Sequence, residues 1–268
     1  LEGRGYEVAL TGTLWQSNSF DWRARFNLSH NENEAIDLQG QEIFGDNKAG
    51  IRETYAVPTY FGSKVMNPNA FADPVIETNQ PLGAVNPTDL IGIGTDFTIR
   101  QNWTVDFLFE YQGGHALPQY TGYQNGRRGA WFPCFEIQGK IVAARNGDAS
   151  ALSDVTALER AKCAMNAYGG HNSDFWVESA DFWKWRSVSL TYNVPPEWVQ
   201  SFANRLTVTA AATNLFLWTD YSGVDPEVED FADRAEYGVY DGATDYGRRE
   251  YYNLPSPRQF LLTFRMGF

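Results

Sequence analysis

Phe260-Leu261-Leu262-Thr263-Phe264-Arg265-Met266-Gly267-Phe268 places a large apolar side chain at every even position. Successive side chains of a strand point to opposite faces, so Phe260, Leu262, Phe264, Met266 and Phe268 share one side while Gln259, Thr263 and Arg265 share the other. One such strand suits a soluble sheet as well as a membrane one. The fold turns on whether the pattern repeats.

It repeats. Tyr6, Val8, Leu10 and Leu14 alternate with Glu7, Thr11 and Thr13, and Trp22, Ala24, Phe26 and Leu28 alternate with Asp21, Arg23, Arg25, Asn27 and Ser29. Ser17-Asn18-Ser19 between them predicts a hairpin. Ile91, Ile93, Phe97 and Ile99, then Trp103, Val105, Phe107, Phe109 and Tyr111, predict a second, turning at Gln101-Asn102. Val188, Leu190 and Tyr192, then Leu206, Val208, Ala210, Ala212 and Phe216, alternate with Ser and Thr and predict a third. With the terminal strand, the expected count is seven.

The connections alternate too. Three are short, at 17–19, 101–102 and 195–204, and three are long, at about 32–90, 113–180 and 219–257. Loops beyond about 15 residues are uncommon in compact soluble domains, whereas short turns at one end and long loops at the other mark bacterial outer-membrane barrels. Starting from outside, seven strands leave the C-terminus at the periplasmic edge. The reading is all-β, an antiparallel transmembrane barrel wall, with its uncharged face toward lipid and Arg23, Arg25, Asp106, Glu110 and Arg265 toward a polar lumen. Trp15, Trp22, Trp103, Tyr111, Trp183, Trp185 and Trp218 fall near strand ends, as aromatic girdles do. The alternative is that they are core aromatics of a soluble sheet.

Composition narrows the choice. The 268 residues are 43% hydrophobic and 15% aromatic, but mean hydropathy is −0.42. No run approaches the roughly 18 apolar residues of a membrane helix, which excludes a helical membrane protein. A net charge of −12 without a basic cluster argues against nucleic acid. The chain has no initiator Met and no signal segment, and is expected to be a C-terminal piece of something longer.

At this point the residues resemble a family. Glu178-Ser179-Ala180-Asp181-Phe182-Trp183-Lys184-Trp185-Arg186-Ser187-Val188-Ser189-Leu190-Thr191-Tyr192-Asn193-Val194-Pro195 is similar to a segment of SusC/RagA-type TonB-dependent outer-membrane transporters. Asn214-Leu215-Phe216-Leu217-Trp218-Thr219-Asp220-Tyr221-Ser222-Gly223-Val224-Asp225-Pro226-Glu227 resembles the family's next signature, and Pro257-Arg258-Gln259-Phe260 its closing element. Gly5-Tyr6-Glu7 and, more weakly, Asn86-Pro87-Thr88 resemble earlier strand openings.

The resemblance implies that residues 1–268 are about seven C-terminal strands of a 22-stranded barrel, with the plug and earlier strands absent. It implies an outer-membrane nutrient importer for oligosaccharides or peptides, with a SusD-like lipoprotein lid, TonB coupling through the missing plug, and contact with outer-membrane lipids. It also implies that Phe264 and Phe268 serve as the C-terminal signal for the barrel assembly machinery. Seven strands alone leave two open edges, which lipid does not satisfy. The alternative function is a passive or structural barrel protein, such as a surface adhesin subunit, without energy coupling.

The last long loop carries ten acidic side chains against Arg234, Arg248 and Arg249, with tyrosines interleaved. Aromatic faces beside carboxylates suit polyhydroxylated ligands or cationic peptides, so Tyr221, Asp225, Glu227, Tyr237, Tyr240 and Tyr246 are the substrate-binding candidates. The other reading is a solvated acidic loop or a partner-contact surface, with Asp225-Pro226-Glu227 fixing a turn. No cofactor or metal is expected. Ca²⁺ is the one candidate ion, although no EF-hand spacing is present.

Cys134 and Cys163 stand 29 positions apart in one loop and are expected to form a disulfide, with two free thiols as the alternative. Around Cys163, 153–167 predicts one short helix with Val155, Leu158, Ala161 and Met165 on a face. No Gly-rich phosphate loop, Gly-x-Ser-x-Gly elbow or His-Glu-x-x-His is present, and an enzyme is not expected.

Overall fold

A computed structural model of the chain describes residues 1–44, 49–165, 167–228 and 248–268. β1 (Glu2–Gln16) and β2 (Phe20–Glu34) form the first hairpin. The following connection carries β3 (Ile43–Phe44), β4 (Ala49–Ile51), β5 (Thr59–Val65) and β6 (Ile76–Ala84), which pair in that order as a small side sheet. β7 (Asp89–Ile99) and β8 (Trp103–Gly113) form the second hairpin. Next come β9 (Ala116–Pro118), α1 (Tyr120–Gly126), a 3₁₀ turn (Phe132–Cys134), α2 (Phe135–Arg145), α3 (Ala157–Cys163) and β10 (Val177–Ser179), with β10 pairing β9. β11 (Phe182–Val194), α4 (Pro196–Val199), β12 (Arg205–Thr219) and β13 (Gln259–Gly267) complete the chain.

The long strands form one antiparallel sheet in the order β1-β2-β7-β8-β11-β12-β13, the seven strands that the alternation predicts. Their register aligns the apolar residues. Leu10, Phe26, Ile93, Phe109, Trp185 and Phe216 make one row across six strands, and Val8, Leu28, Ile91, Tyr111, Trp183 and Trp218 make the next. On the opposite face Asp21, Thr98, Thr104, Thr191, Thr209 and Thr263 make a polar row.

In β11 the apolar positions change parity, from Trp183 and Trp185 to Val188, Leu190 and Tyr192. A bulge between Trp185 and Ser187 absorbs the change against both neighbouring strands. One extra residue, Arg186, keeps Trp183, Trp185, Val188, Leu190 and Tyr192 on one face.

Three expectations need correction. The second hairpin turns over the three residues Arg100-Gln101-Asn102 rather than Gln101-Asn102 alone: Ile99 pairs with Trp103, the Asn102 N–H closes on Ile99 O at 3.2 Å, and Arg100 and Gln101 have left-handed φ, at 48° and 61°. The helix expected over 153–167 is α3 alone, because Thr156 adopts an extended conformation and caps it in a capping box with Glu159. And it is not the one short helix: α1, α2 and α4 are also present. α1 contains Gly122 and Gly126, poor helix formers, because a Cβ at either would stand 2.8–2.9 Å from the Trp176 ring. α2 leaves Phe135 and Val142 exposed and buries Gln138 and Ile141, so its sequence has no amphipathic period.

The buried core lies in the long loops, not in the sheet. Val65 of β5, Tyr123 of α1, Ala157 and Ala161 of α3, and Phe175 and Trp176 pack as one cluster joining the first and second connections. Backbone bonds reinforce it: Asp174 N–H donates to Ser63 O at 2.9 Å and Ala157 N–H to Ala70 O at 2.7 Å. Cys134 and Cys163 are bridged, Cα atoms 5.2 Å apart, inside a second cluster with Ile141 and Ala164. By contrast, side chains on the apolar face of the sheet are open: Phe260 is 79% exposed and Leu10 60%.

Replacing both Cys134 and Cys163 by Ser frees a loop whose ends are 29 positions apart, at an expected cost of about 3–4 kcal/mol in the chain-entropy model. Limited proteolysis of the full-length protein is expected to cut between α2 and α3 in this variant while the seven wall strands keep their protection.

Candidate functional site

The polar face of the sheet is built from charges in pairs. Arg23 of β2 donates to Asp96 of β7 at 3.0 Å, and Arg25 reaches Asp106 of β8 at 3.0 Å. Farther along, the bulge in β11 sets Arg186 beside Lys184 on this face, and their cations gather Glu110 of β8 with Asp225 and Glu227 from the loop after β12. Lys184 Nζ donates to Asp225 Oδ2 at 2.7 Å and to Glu227 Oε2 at 2.5 Å. Arg186 spans Glu110 and both oxygens of Glu227. The side chains of Lys184 and Asp225 are each only 5% exposed, so neither charge is tolerable without the other.

The cluster ties a loop root to the wall. Asp225 Oδ1 accepts the Glu227 N–H at 3.0 Å and Asp225 O accepts the Val228 N–H at 3.1 Å, making the tight turn that the Asp-Pro-Glu spacing suggests. Nearer the strand, Glu178 accepts from Ser222 N–H and Oγ and from Lys162 of α3, linking the second and third long connections. Tyr221 is buried with Leu117 and Ala180, and burial pushes its hydroxyl well above the usual range. Burial acts to raise the Glu227 carboxyl, but the bonds from Arg186 and Lys184 outweigh it and hold the group down at about 2.

A cavity of about 350 Å³ opens beside this cluster, lined by Lys184, Leu217, Val224 and Asp225 on one side and Pro255, Pro257 and Arg258 on the other. The loop returning to β13 is fastened at a second place. The Tyr60 hydroxyl donates to Arg248 O at 2.5 Å and accepts the Arg248 N–H at 2.8 Å. Glu250 is buried, bonded through Oε1 to Thr121 Oγ1 at 2.8 Å, and burial pushes its carboxyl upward. Among the described residues, no group of three or more His, Cys, Asp or Glu is placed to hold a metal ion.

The sequence candidates therefore separate. Tyr221, Asp225 and Glu227 come together, but as the packed and ion-paired root of the loop. Tyr237, Tyr240 and Tyr246 lie outside the described residues. Trp22 and Trp103 stand toward the short-turn end of the apolar face, Trp22 stacked on Phe97 and Trp103 on Tyr192. Trp183, Trp185 and Trp218 stand toward the long-loop end, with Trp185 between Phe109 and Phe216. Phe264 lies on the apolar face of β13 and Phe268 follows it. Lys184 and Arg186, the centre of the cluster, were not singled out by the sequence. The signal was there: two cations alternating with two tryptophans just before a parity change.

No family model matches the chain. Among curated proteins it is similar to two from Formosa agariphila described as TonB-dependent receptors: P39 is 23% identical over 300 residues, covering 89% of this chain and 28% of that protein. P26 is 24% identical over 304 residues, covering 100% and 29%. Among solved structures, the RagAB peptide transporter matches with a TM-score of 0.63 at 16% identity, over 99% of this chain and 29% of that one. The RagAB peptide importer in its open-open state matches with a TM-score of 0.66 at 16% identity, over 99% and 28%. At these identities the structural likeness establishes the fold, an antiparallel β-barrel wall that is part of a larger barrel. The chain spans 28–29% of the length of the curated relatives. The names of the curated relatives and the shared fold agree with the resemblance to SusC/RagA-type TonB-dependent transporters that the sequence motifs carry.

Lys184→Met leaves Asp225 buried without its cation, and a broken buried pair costs about 3–5 kcal/mol. Hydrogen exchange at 219–228 in the full-length protein is expected to accelerate in this variant and to recover in part when Asp225→Asn is added, which removes the unpaired charge and keeps the Oδ1 that accepts the Glu227 N–H. The Glu227 carboxyl is depressed in the fold, so its contribution is complete above the ordinary carboxylate pKa and fades as pH falls from there toward about 2. Protection factors at 219–228, which are corrected for the intrinsic pH dependence of amide exchange, are expected to fall over that window in the wild type and to change less in Glu227→Gln.

Proposed function

We propose that the chain is the C-terminal part of the barrel wall of an outer-membrane TonB-dependent importer that takes up peptides or oligosaccharides beneath a SusD-like lipoprotein lid. The observation that carries this reading is the registered apolar face, whose rows cross the strands without a Lys or Arg while the pairs Arg23–Asp96 and Arg25–Asp106 stand on the opposite face. A soluble sheet of this area would have to cover that face, and Phe260, Leu262 and Phe264 are open. From Trp103 to Tyr111 the apolar rows run about 26 Å along the strand. With the tilt of about 40° usual in barrels, that becomes roughly 20 Å, close to the apolar band of outer-membrane proteins.

Lipid then meets the apolar face, with Trp22, Trp103, Trp183, Trp185 and Trp218 at its margins and Phe264 and Phe268 presented to the assembly machinery. The polar face lines the lumen, and the rest of the protein supplies the plug and the TonB contact. The curated relatives are named receptors, and the neighbouring structures are named a peptide transporter and a peptide importer, so peptides come first among substrates. The reaction assigned is passage, with no bond cleaved. A passive barrel is the competing reading.

Uptake of a fluorescently labelled oligopeptide by cells carrying the full-length protein separates the two. An energised importer is expected to lose uptake when a protonophore collapses the membrane potential; uptake that persists sinks the energised reading. The faces are tested by a pair of neighbours in β13: Leu262→Arg puts a cation in the apolar rows at a cost of about 2–4 kcal/mol. It is expected to deplete the folded barrel in membranes, while Thr263→Arg is expected to leave its amount close to wild type.

A further inference from the structure

Lys184 and Asp225 meet almost without water: each side chain is 5% exposed, and Nζ lies 2.7 Å from Oδ2. A hydrogen bond of that length holds the amine within about 4 Å of the carboxyl carbon, close to the roughly 3–3.5 Å of a near-attack arrangement. Nζ is held from a second side by Glu227 Oε2 at 2.5 Å, and Arg186 in turn fixes Glu227. The other Asp225 oxygen, Oδ1, accepts the Glu227 N–H at 3.0 Å. That donor stands where negative charge gathers when a carboxyl carbon is attacked. The buried Phe182 ring faces the amine, its centroid 5.3 Å from Nζ. A nucleophile, an electrophile and a donor for the developing charge therefore share one desolvated place.

We infer that Lys184 and Asp225 join in an intramolecular amide, a covalent staple from β11 to the root of the loop after β12, for which the ion pair is the reactant state. The inference goes beyond the importer reading and does not depend on which face of the wall meets lipid. Burial disfavours the charged forms, so a proton passes along the 2.7 Å bond from Nζ to Oδ2 and leaves an amine facing a carboxylic acid. The Nζ lone pair attacks Cγ, the Nζ–Cγ bond forms, and charge moves onto Oδ1 against the Glu227 N–H. The Cγ–Oδ2 bond then breaks. Oδ2 leaves as water with the proton it already holds and a second one from the nitrogen, which Glu227 Oε2 carries across. The third proton of the ammonium stays on the amide nitrogen, and nothing is oxidised or reduced. The cavity lined by both Lys184 and Asp225 receives the water. The product closes a loop between residues 41 positions apart.

The test takes the full-length protein from membranes, reduces and unfolds it, digests it with trypsin and weighs the peptides by mass spectrometry. Cleavage after Lys184 is expected to be lost while cleavage after Arg186 continues. The segments carrying Lys184 and Asp225 are expected as one branched peptide, lighter than their sum by one water. Lys184→Arg keeps a cation for Asp225 and Glu227 but brings no attacking amine, so it is expected to give the two unbranched peptides at full mass from a protein that still folds. Glu227→Gln keeps an acceptor for Nζ without a carboxylate to carry the proton, and is expected to give the branched peptide in a fraction of the wild-type amount. Cleavage after Lys184 and full-mass peptides in the wild type overturn the staple and leave the ion-paired loop root and the importer reading standing. A branched peptide that persists in Lys184→Arg overturns the assignment to Lys184. A wild-type amount in Glu227→Gln overturns the part given to Glu227.

Discussion

Cross-strand hydrogen bonding holds side chains in a period of two, and a slip of one residue turns every side chain of a strand to the wrong face. In this chain that period survives six successive pairings, from β1 through β13, with apolar residues aligned in rows. Everything else is arranged to protect it. The parity of the apolar residues changes inside β11, and the bulge at Arg186 restores it. A second irregularity in β12, with Asn214 at a φ of 55°, takes up two more residues between Thr213 and Phe216 without disturbing the face. Bulges here are the device by which the apolar rows stay free of charge.

The same bulge builds the polar cluster. Lys184 and Arg186 share the face opposite Trp183 and Trp185, and both need carboxylates because Lys184 is withdrawn from water. Glu110 comes from the adjacent strand, while Asp225 and Glu227 come from a loop that would otherwise leave the wall. A requirement of the wall thus becomes an attachment for a loop. The other long connections are held by a different force, the burial of Val65, Phe175 and Trp176 in a core of their own, supplemented by the disulfide. The lower part of the molecule is ordered by pairing and the upper part by packing.

Much of the wall was legible because period-two alternation is a local signal, readable from Trp103 to Tyr111 without knowing any partner. The substrate candidates fared differently. Tyr221, Asp225 and Glu227 were recognisable as an aromatic and two acids in a loop, but their burial depends on Lys184 and Ala180, some 40 positions away. No spacing rule reports such a distance. Asp-Pro-Glu as a turn was readable, since that bond is made between residues two apart. α1 was hidden because its glycines lower helix propensity and serve the close approach of Trp176, a partner about 50 positions downstream.

By itself the sequence determined which residues share a face, how many strands alternate, which connections are short and which two cysteines were available. Those properties are local, set by the two-residue repeat of an extended chain and the chemistry of turns. Only the tertiary structure decided that the long loops fold over one another on a common core, that the helices there number more than one, and that Asp225 and Glu227 are bound to the wall by Lys184 and Arg186. These outcomes depend on groups far apart in the chain. Burial sets their energy, and a side chain's burial is a property of what the fold brings around it.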